Sequence, residues 1–289
     1  MPKKLVAIGG DGVGPEVINA ACYVLDTMGL DLEIIKPFPK RMGGPPTEEA
    51  REMAEESDAI LFGAAGEPEN ESRGWLRWLR PWTPESLDNY ANVRPIKYYE
   101  GARSVVKDPS GIDFVIIREN SEGMYSFFEG DLTTLIQSMP GLKSRRGKSI
   151  ASFGEGKFAI RIISRKGCER IAEVACEYAR KRKAKGFPGK ITIVTKSNVL
   201  EESCGLFQQI CLDTVKKYPE LSYEHYYVDN MARRLLVYPQ NHDVIITSNL
   251  FGDILSDEAS ELVGGLGMTP SGCIGGKVPY FEPVHGSAP

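Results

Sequence analysis

Asp253 and Asp257 stand four residues apart in the run TSNLFGDILSDEAS (247–260), after the apolar stretch DVIIT (243–247) that reads as a buried strand. Gly252 is expected to let the chain turn into a helix there. On a helix, positions i and i+4 share a face, and two carboxylates held so repel unless something positive sits between them. A hard divalent cation such as magnesium or manganese, which prefers oxygen ligands, meets that need. The plainer reading is a pair of solvated acids near a helix N-terminus, where the macrodipole favours negative charge. Arg94 opens a segment just before Pro95. Other candidates share the strand-end placement of the aspartate pair: Arg118 ends the apolar run IDFVIIR (112–118) ahead of a turn through Gly123 to Tyr125. A guanidinium fork suits a carboxylate, although either arginine alone also suits a structural ion pair. Lys196 ends a strand with Asn198 just after it, and Asp229 ends another. Ligands of α/β sheets gather at such strand ends. Independent solvated charges need no common placement, so the arrangement points to a site for a metal and a carboxylate substrate.

These residues must be positioned by an alternation of strands and helices. Strand patterns fall at 5–9, 32–38, 59–63, 114–118, 191–196, 223–229 and 244–248. Helical patterns fall at 15–28, 47–56, 165–183, 203–218, 231–237 and 254–263. Such alternation predicts an α/β protein with substantial parallel sheet. Residues 130–156 break the rhythm with a basic, glycine-rich tract that reads as a long hairpin or arm, a device that often serves an oligomer contact. The N-terminal IGGDGVGPE (8–16) has glycines at 10, 12 and 14, spaced G-x-G-x-G and not G-x-G-x-x-G. The acidic residue that follows at a suitable distance, Asp31, begins a strand instead of ending one, so a conventional Rossmann site is not expected.

Composition sets the outer bounds. The 289 residues suffice for one large or two ordinary domains, and 42% hydrophobic with 26% charged residues is ordinary for a globular protein. A net charge of −4 gives no reason to expect nucleic acid as a partner. No apolar run is long enough to span a membrane, and the N-terminus lacks the apolar region of a signal peptide. Six cysteines without a C-x-x-C pair suit free thiols in a reducing compartment, so a cytoplasmic location is expected. Three dispersed histidines argue against a histidine-rich zinc site.

Taken in order, GDGVGPE, NVRPIK, RENSEGMY, TKSNVL, VDNMA, SNLFGDILSDEAS, VGGLGMTPS and FEPVHGSAP resemble the β-decarboxylating dehydrogenases of 2-hydroxy acids. These are the isocitrate, homoisocitrate, 3-isopropylmalate and tartrate/malate dehydrogenases, and the resemblance runs from Leu5 to Pro289. It implies a two-domain isocitrate/isopropylmalate dehydrogenase-like fold, with mixed sheets flanked by helices and a protruding arm. Residues 1–98 and 249–289 would form the large domain, and 99–248 the small substrate and dimerisation domain with its arm at about 130–156. Carried over by position, Arg94 and Arg118 would hold the carboxylates of the malate-like core. Asp253 and Asp257 of one subunit and Asp229 of the other would bind magnesium or manganese. Lys196, also from the second subunit, resembles the base for the C2 hydroxyl proton, and Tyr125 the acid that protonates C3. NAD, with NADP not excluded, would lie near Asn198, Gly265, Gly267, Glu282, His285, Gly286 and Ser287. Oxidation at C2 and loss of the C3 carboxylate both develop charge that such a cation stabilises. A homodimer with shared sites follows.

The chain departs from the family pattern in two places. The family's further arginine, ten residues before the NVRP arginine, is replaced by Pro84 within the rewritten stretch SRGWLRWLRPWTPES (72–86). Arg77 or Arg80 could substitute. Trp75, Trp78 and Trp82 could form an apolar wall for an isopropyl group, the arginines could bind an extra carboxylate, or the segment could be an exposed helix packed by its tryptophans. The family pattern also continues beyond Pro289, into the part that distinguishes NAD from NADP and holds adenine, so weak cofactor affinity is expected of these 289 residues. Two other readings compete with the enzyme: a non-catalytic regulatory subunit, and a small-molecule binding module. Retention of Tyr125, Lys196, Asp229, Asp253 and Asp257 speaks against the first of these, and the absence of any turnover would favour the second.

Overall fold

A computed structural model of the chain describes residues 1–38, 46–66 and 73–288. Its strands are β1 (Lys3–Gly10), β2 (Leu32–Ile35), β3 (Ala59–Ala64), β4 (Ala91–Lys97), β5 (Asp113–Glu119), β6 (Glu129–Asp131), β7 (Lys157–Ala159), β8 (Lys190–Thr195), β9 (Ser222–Tyr227), β10 (Val244–Thr247), β11 (Pro270–Ile274) and β12 (Tyr280–Pro283). Its helices are α1 (Gly14–Thr27), α2 (Glu48–Glu55), α3 (Arg73–Leu79), α4 (Leu132–Ser138), α5 (Arg165–Lys183), α6 (Ser203–Val215), α7 (Val228–Val237) and α8 (Asn249–Ser260). Among the described residues ten strands form one mixed sheet in the order β2-β1-β3-β12-β11-β4-β5-β10-β8-β9. The β12–β11, β11–β4 and β4–β5 pairs are antiparallel, and the outer pairs are parallel. Strands from the two ends of the chain therefore sit together in one half of the sheet, and β5, β10, β8 and β9 in the other.

Side-chain alternation along the central strands sorts residues into two cores. Val244 and Ile246 of β10, with Val115 and Ile117 of β5, pack under α5 and α6. Ile245, with Phe114 and Ile116, packs instead under α7 and α8 against Met231, Leu235 and Leu255. A third cluster joins Val6, Ile8, Phe62 and Tyr280 to Trp75, Trp78 and Leu79 of α3. Two of the three tryptophans are thus core residues, 0% and 3% exposed. The basic tract is an arm: β6 pairs antiparallel with β7 at its base, and the residues between are mostly exposed.

Several boundaries differ from the sequence expectation for physical reasons. The strand expected to run to Asp229 stops at Tyr227, and Asp229 lies in the first turn of α7, where the helix dipole favours a carboxylate. Helix α8 begins at Asn249, so Gly252 lies inside it and makes no turn. Arg94 sits mid-strand in β4, and Pro95, Gly272 and Pro283 obscure strand patterns in β4, β11 and β12. The N-terminal glycines serve close packing. Gly12 has φ +54°, and a Cβ there would fall 2.2 Å from the Ser287 carbonyl oxygen, so the loop after β1 closes on the chain's C-terminal segment.

Candidate active site

The site is built on the face of β4 and β5 that α8 covers. Period-two alternation puts Arg94 on the same side as Ile96, and Arg118 on the same side as Phe114 and Ile116, so both arginines meet the helix. Both are buried, 4% and 3% exposed, and each is fixed by neutral neighbours as well as by acids. The Arg94 Nε donates to Asn92 Oδ1 at 3.1 Å, and its Nη1 donates to the Ser256 hydroxyl. The Arg118 Nε and Nη2 both donate to Asn249 Oδ1, at 2.9 and 2.7 Å. Gly252 makes this possible: a Cβ there would lie 2.7 Å from both Cβ and Cγ of Arg118. Its absence lets the arginine cross the helix surface.

Asp253 is the centre of the cluster. Arg118 Nη1 pairs with its Oδ1, Arg94 Nη1 lies 3.5 Å from the same atom, and the Tyr125 hydroxyl donates to its Oδ2. Asp257, one turn on, receives Arg94 Nη1 at 3.3 Å. Burial opposes ionisation of Asp253, but Arg118, the Tyr125 hydrogen bond and Arg94 outweigh it and hold the carboxyl below its ordinary range. At Asp257 burial and the neighbouring Asp253 charge prevail over the arginines and push the carboxyl up. Burial, then the Asp253 carboxylate, also raises the Tyr125 phenol, so it stays protonated well beyond neutrality.

Arg80 and Trp82, just beyond α3, complete the cluster. The Trp82 ring stacks on Tyr125 with centroids 5.9 Å apart and planes at 29°, and meets Phe127 edge-on at 5.2 Å. The Arg80 guanidinium lies 4.9 Å from the Trp82 ring centroid and pairs with Glu282 Oε1 at 3.5 Å. Arg77 is exposed. Asn249, Asn92 and Ser256 are site residues the sequence reading did not single out. For Asn249 the signal was present: Asn249, Asp253 and Asp257 are spaced i, i+4, i+8, one helix face.

The remaining expected residues fall into two other places. Lys196, just after β8, pairs with Asp229 at the start of α7, with side chains 28% and 64% exposed. Asn198 lies in the turn that follows. The Lys196 ammonium lowers the Asp229 carboxyl through their hydrogen bond. Near the end of α8, Gly265 takes φ +97° and its N–H bonds the Ser260 carbonyl at 2.9 Å, with Gly267 in the short helical turn after it. Glu282 is buried on β12 beside Arg80. His285 is half-buried and contacts the Gly286 carbonyl, while the Ser287 carbonyl accepts from Val13 N at 3.0 Å, beside the loop after β1. A cavity of about 670 Å³ lies on another face, between α1, α5 and β11–β12, with Gly267 and Glu282 among its lining residues.

The donor chemistry suits a hard divalent cation, since Asp253 and Asp257 present carboxylate oxygens on one helix face. Two such side chains are not a full set. Among the described residues no group of three or more histidine, cysteine, aspartate or glutamate side chains is gathered, and Asp229 pairs with Lys196 instead. All six cysteines are buried free thiols, and no helix among the described residues is long and apolar enough to cross a membrane.

The family model for isocitrate/isopropylmalate dehydrogenase matches residues 4–289. A 3-isopropylmalate/3-methylmalate dehydrogenase of Methanocaldococcus jannaschii is 42% identical over 291 residues, covering 99% of this chain and 78% of the relative. An isocitrate/homoisocitrate dehydrogenase of Thermus thermophilus is 40% identical over 298 residues, covering 100% and 79%. The crystal structure of an isocitrate dehydrogenase from Methylococcus capsulatus aligns with a TM-score of 0.77 at 31% identity, over 99% of this chain and 78% of that one.

Proposed function

The chain belongs to the isocitrate/isopropylmalate dehydrogenase family, and from that premise we propose that it oxidises the C2 hydroxyl of a malate-type acid with NAD(P)+ and releases the C3 carboxylate as carbon dioxide. Members of the family are decarboxylating dehydrogenases that act on a CH–OH group, so the reaction class follows from membership. The observation that carries the finer reading is the convergence of Arg94, Arg118 and Tyr125 on Asp253, with Asp257 one turn beyond. Asp253 and Asp257 would hold magnesium or manganese, which when bound supplies positive charge for the oxygen at C2. Arg94 and Arg118 would then bind and orient the two carboxylates of the malate core. Tyr125, protonated and held at Asp253, is poised to deliver a proton to C3 after carbon dioxide departs.

Lys196 and Asp229 are proposed to act in a second subunit's site, with Lys196 as the base at C2 and Asp229 as a further metal ligand. Their pairing with each other, apart from Asp253, supports a homodimer in which each site is completed by its partner. Residues 1–98 with 249–289, and 99–248, are proposed as its two domains. NAD or NADP would lie along Asn198, Gly265, Gly267, Glu282, His285, Gly286 and Ser287. An absorbance assay for reduced nicotinamide tests the reading, with isocitrate, homoisocitrate, 3-isopropylmalate, tartrate and malate, and each cofactor in turn. Turnover that disappears with a chelator is expected. Silence with every acid in the presence of magnesium would sink it.

A further inference from the structure

The stretch 72–86 offers three tryptophans and, in Arg77 and Arg80, two of its three arginines as candidates to read the substrate's C3 substituent, and the structure sorts these five. Trp75 and Trp78 are sealed in the core with Val6, Ile8 and Phe62, and Arg77 is exposed. Trp82 and Arg80 remain, and both stand against the cluster. Trp82 stacks on Tyr125 and continues edge-on to Phe127, an aromatic wall of three rings beside the proposed C3 acid. Arg80 lies over the Trp82 ring and is paired with Glu282. We propose that Trp82, held in place by Arg80, is the specificity-determining residue of this site, and that its wall accepts an apolar C3 substituent and rejects a third carboxylate.

Charge placement supports that choice. The cluster links three guanidinium groups, of Arg80, Arg94 and Arg118, to three carboxylates, of Asp253, Asp257 and Glu282. A divalent cation at Asp253 and Asp257 frees Arg94 and Arg118 for the two carboxylates of a malate core. Glu282 pairs with Arg80 instead, so the cation beside Trp82 stays neutralised. A third carboxylate against the wall would lose its water without gaining a cation, which is strongly unfavourable. An alkyl group there gains buried contact with three rings. The Trp82 indole Nε1 is buried and has no partner among the described residues.

This proposal rests on the decarboxylating dehydrogenase reading, and its test separates the two. Wild-type, Trp82→Ala, Trp82→Phe and Arg80→Gln proteins are assayed with 3-isopropylmalate, 3-methylmalate, isocitrate and malate. Tryptophan fluorescence is followed on adding each acid with magnesium but no nicotinamide cofactor. Wild-type should favour the two alkylmalates over isocitrate. In Trp82→Ala, kcat/KM for 3-isopropylmalate should fall roughly 50-fold, from loss of contact with three carbons, while malate changes little. Trp82→Phe should keep the preference and lose most of the fluorescence response. Arg80→Gln should weaken discrimination between 3-isopropylmalate and isocitrate, because Trp82 is no longer held. A wild-type preference for isocitrate overturns the proposal, as does an equal loss on malate and 3-isopropylmalate in Trp82→Ala. Fluorescence binding of alkylmalates without any turnover would refute the dehydrogenase reading and leave the wall standing. Absence of both refutes the two together.

Discussion

Two ion-paired regions, the cluster of β4, β5 and α8 around Asp253 and the Lys196–Asp229 pair after β8 and β9, are both built where strands meet the helices packed on them. They differ in how firmly they are held. Arg94 and Arg118 have side chains only 5% and 3% exposed, and Asn92, Asn249 and Ser256 fix their directions independently of any acid. Lys196 and Asp229 are more exposed and pair with each other. A buried guanidinium must have all its donors answered, so its position is over-determined before a ligand arrives. An exposed ion pair contributes little and exchanges readily for another partner. The first region is therefore held rigidly and the second loosely, which is what the proposed function asks of a preformed half-site and of the pair that would complete it from a second subunit.

The largest effect should come from setting the regions against each other. Asp253→Asn and Asp229→Asn should each lower turnover on the order of 10³-fold, the usual scale for losing charge stabilisation in a reaction. If the regions meet across a dimer, mixing the two inactive proteins after dissociation and reassociation should restore about a quarter of wild-type activity. Half of the dimers are then hybrids, each with one intact site. No recovery in a verified hybrid would place both regions in the same subunit's site.

Within the preformed half-site, Gly252→Ala should displace Arg118, since the new methyl would fall 2.7 Å from its Cβ. KM for the acid should rise about tenfold or more, as a charge-assisted bidentate contact is spoiled. The melting temperature should fall by a few degrees at most. The overpacking cost of roughly 1–3 kcal/mol is only partly offset by alanine's helix preference of about 1 kcal/mol. A large loss of stability with KM unchanged would mean that Arg118 does not need its crossing of the helix.

The smallest effect on catalysis is expected at His242, a buried group that neither region uses and whose ring nitrogens have no partner among the described residues. Burial lowers its pKa to about 4. An unfolded histidine protonates near 6.5, so the unfolded chain takes up the proton first as pH falls. Stability from this group is full above about pH 6.5, declines down to about pH 4 and levels off below. The total is roughly 3 kcal/mol. Denaturant titrations of His242→Phe should lack that decline while turnover stays near wild type. An unchanged pH profile would show that other groups govern acid sensitivity.

The sequence laid out the strand and helix succession well where apolar runs were clean, as in β1, β3, β5, β8 and α5. It missed β4, β11 and β12, where proline and glycine interrupt runs whose hydrogen bonds only neighbouring strands reveal. It read Gly252 as a turn, because a glycine's reason can lie in what crosses it and not in its own backbone. Within the site, Asp253, Asp257, Arg94 and Arg118 were candidates on residue type and spacing, and Tyr125 on the family resemblance. Asn249 was legible in principle, one helical turn before Asp253. Trp82 was not separable from Trp75 and Trp78, since all three belong to one short segment and only packing sends two inward.

By itself the sequence determined the reaction class: hard-oxygen acids on one helix face, a guanidinium group at a strand end and a motif order shared with one family of dehydrogenases. Those are properties of local spacing, which the chain carries wherever it goes. The tertiary structure alone decided which charges meet. Arg118 finds Asp253 across 135 positions of chain, Arg80 finds Glu282 on a distant strand, and Lys196 finds Asp229 instead of Asp253 or Asp257. Such pairings depend on sheet order and helix placement, and burial decides which of them are held rigidly.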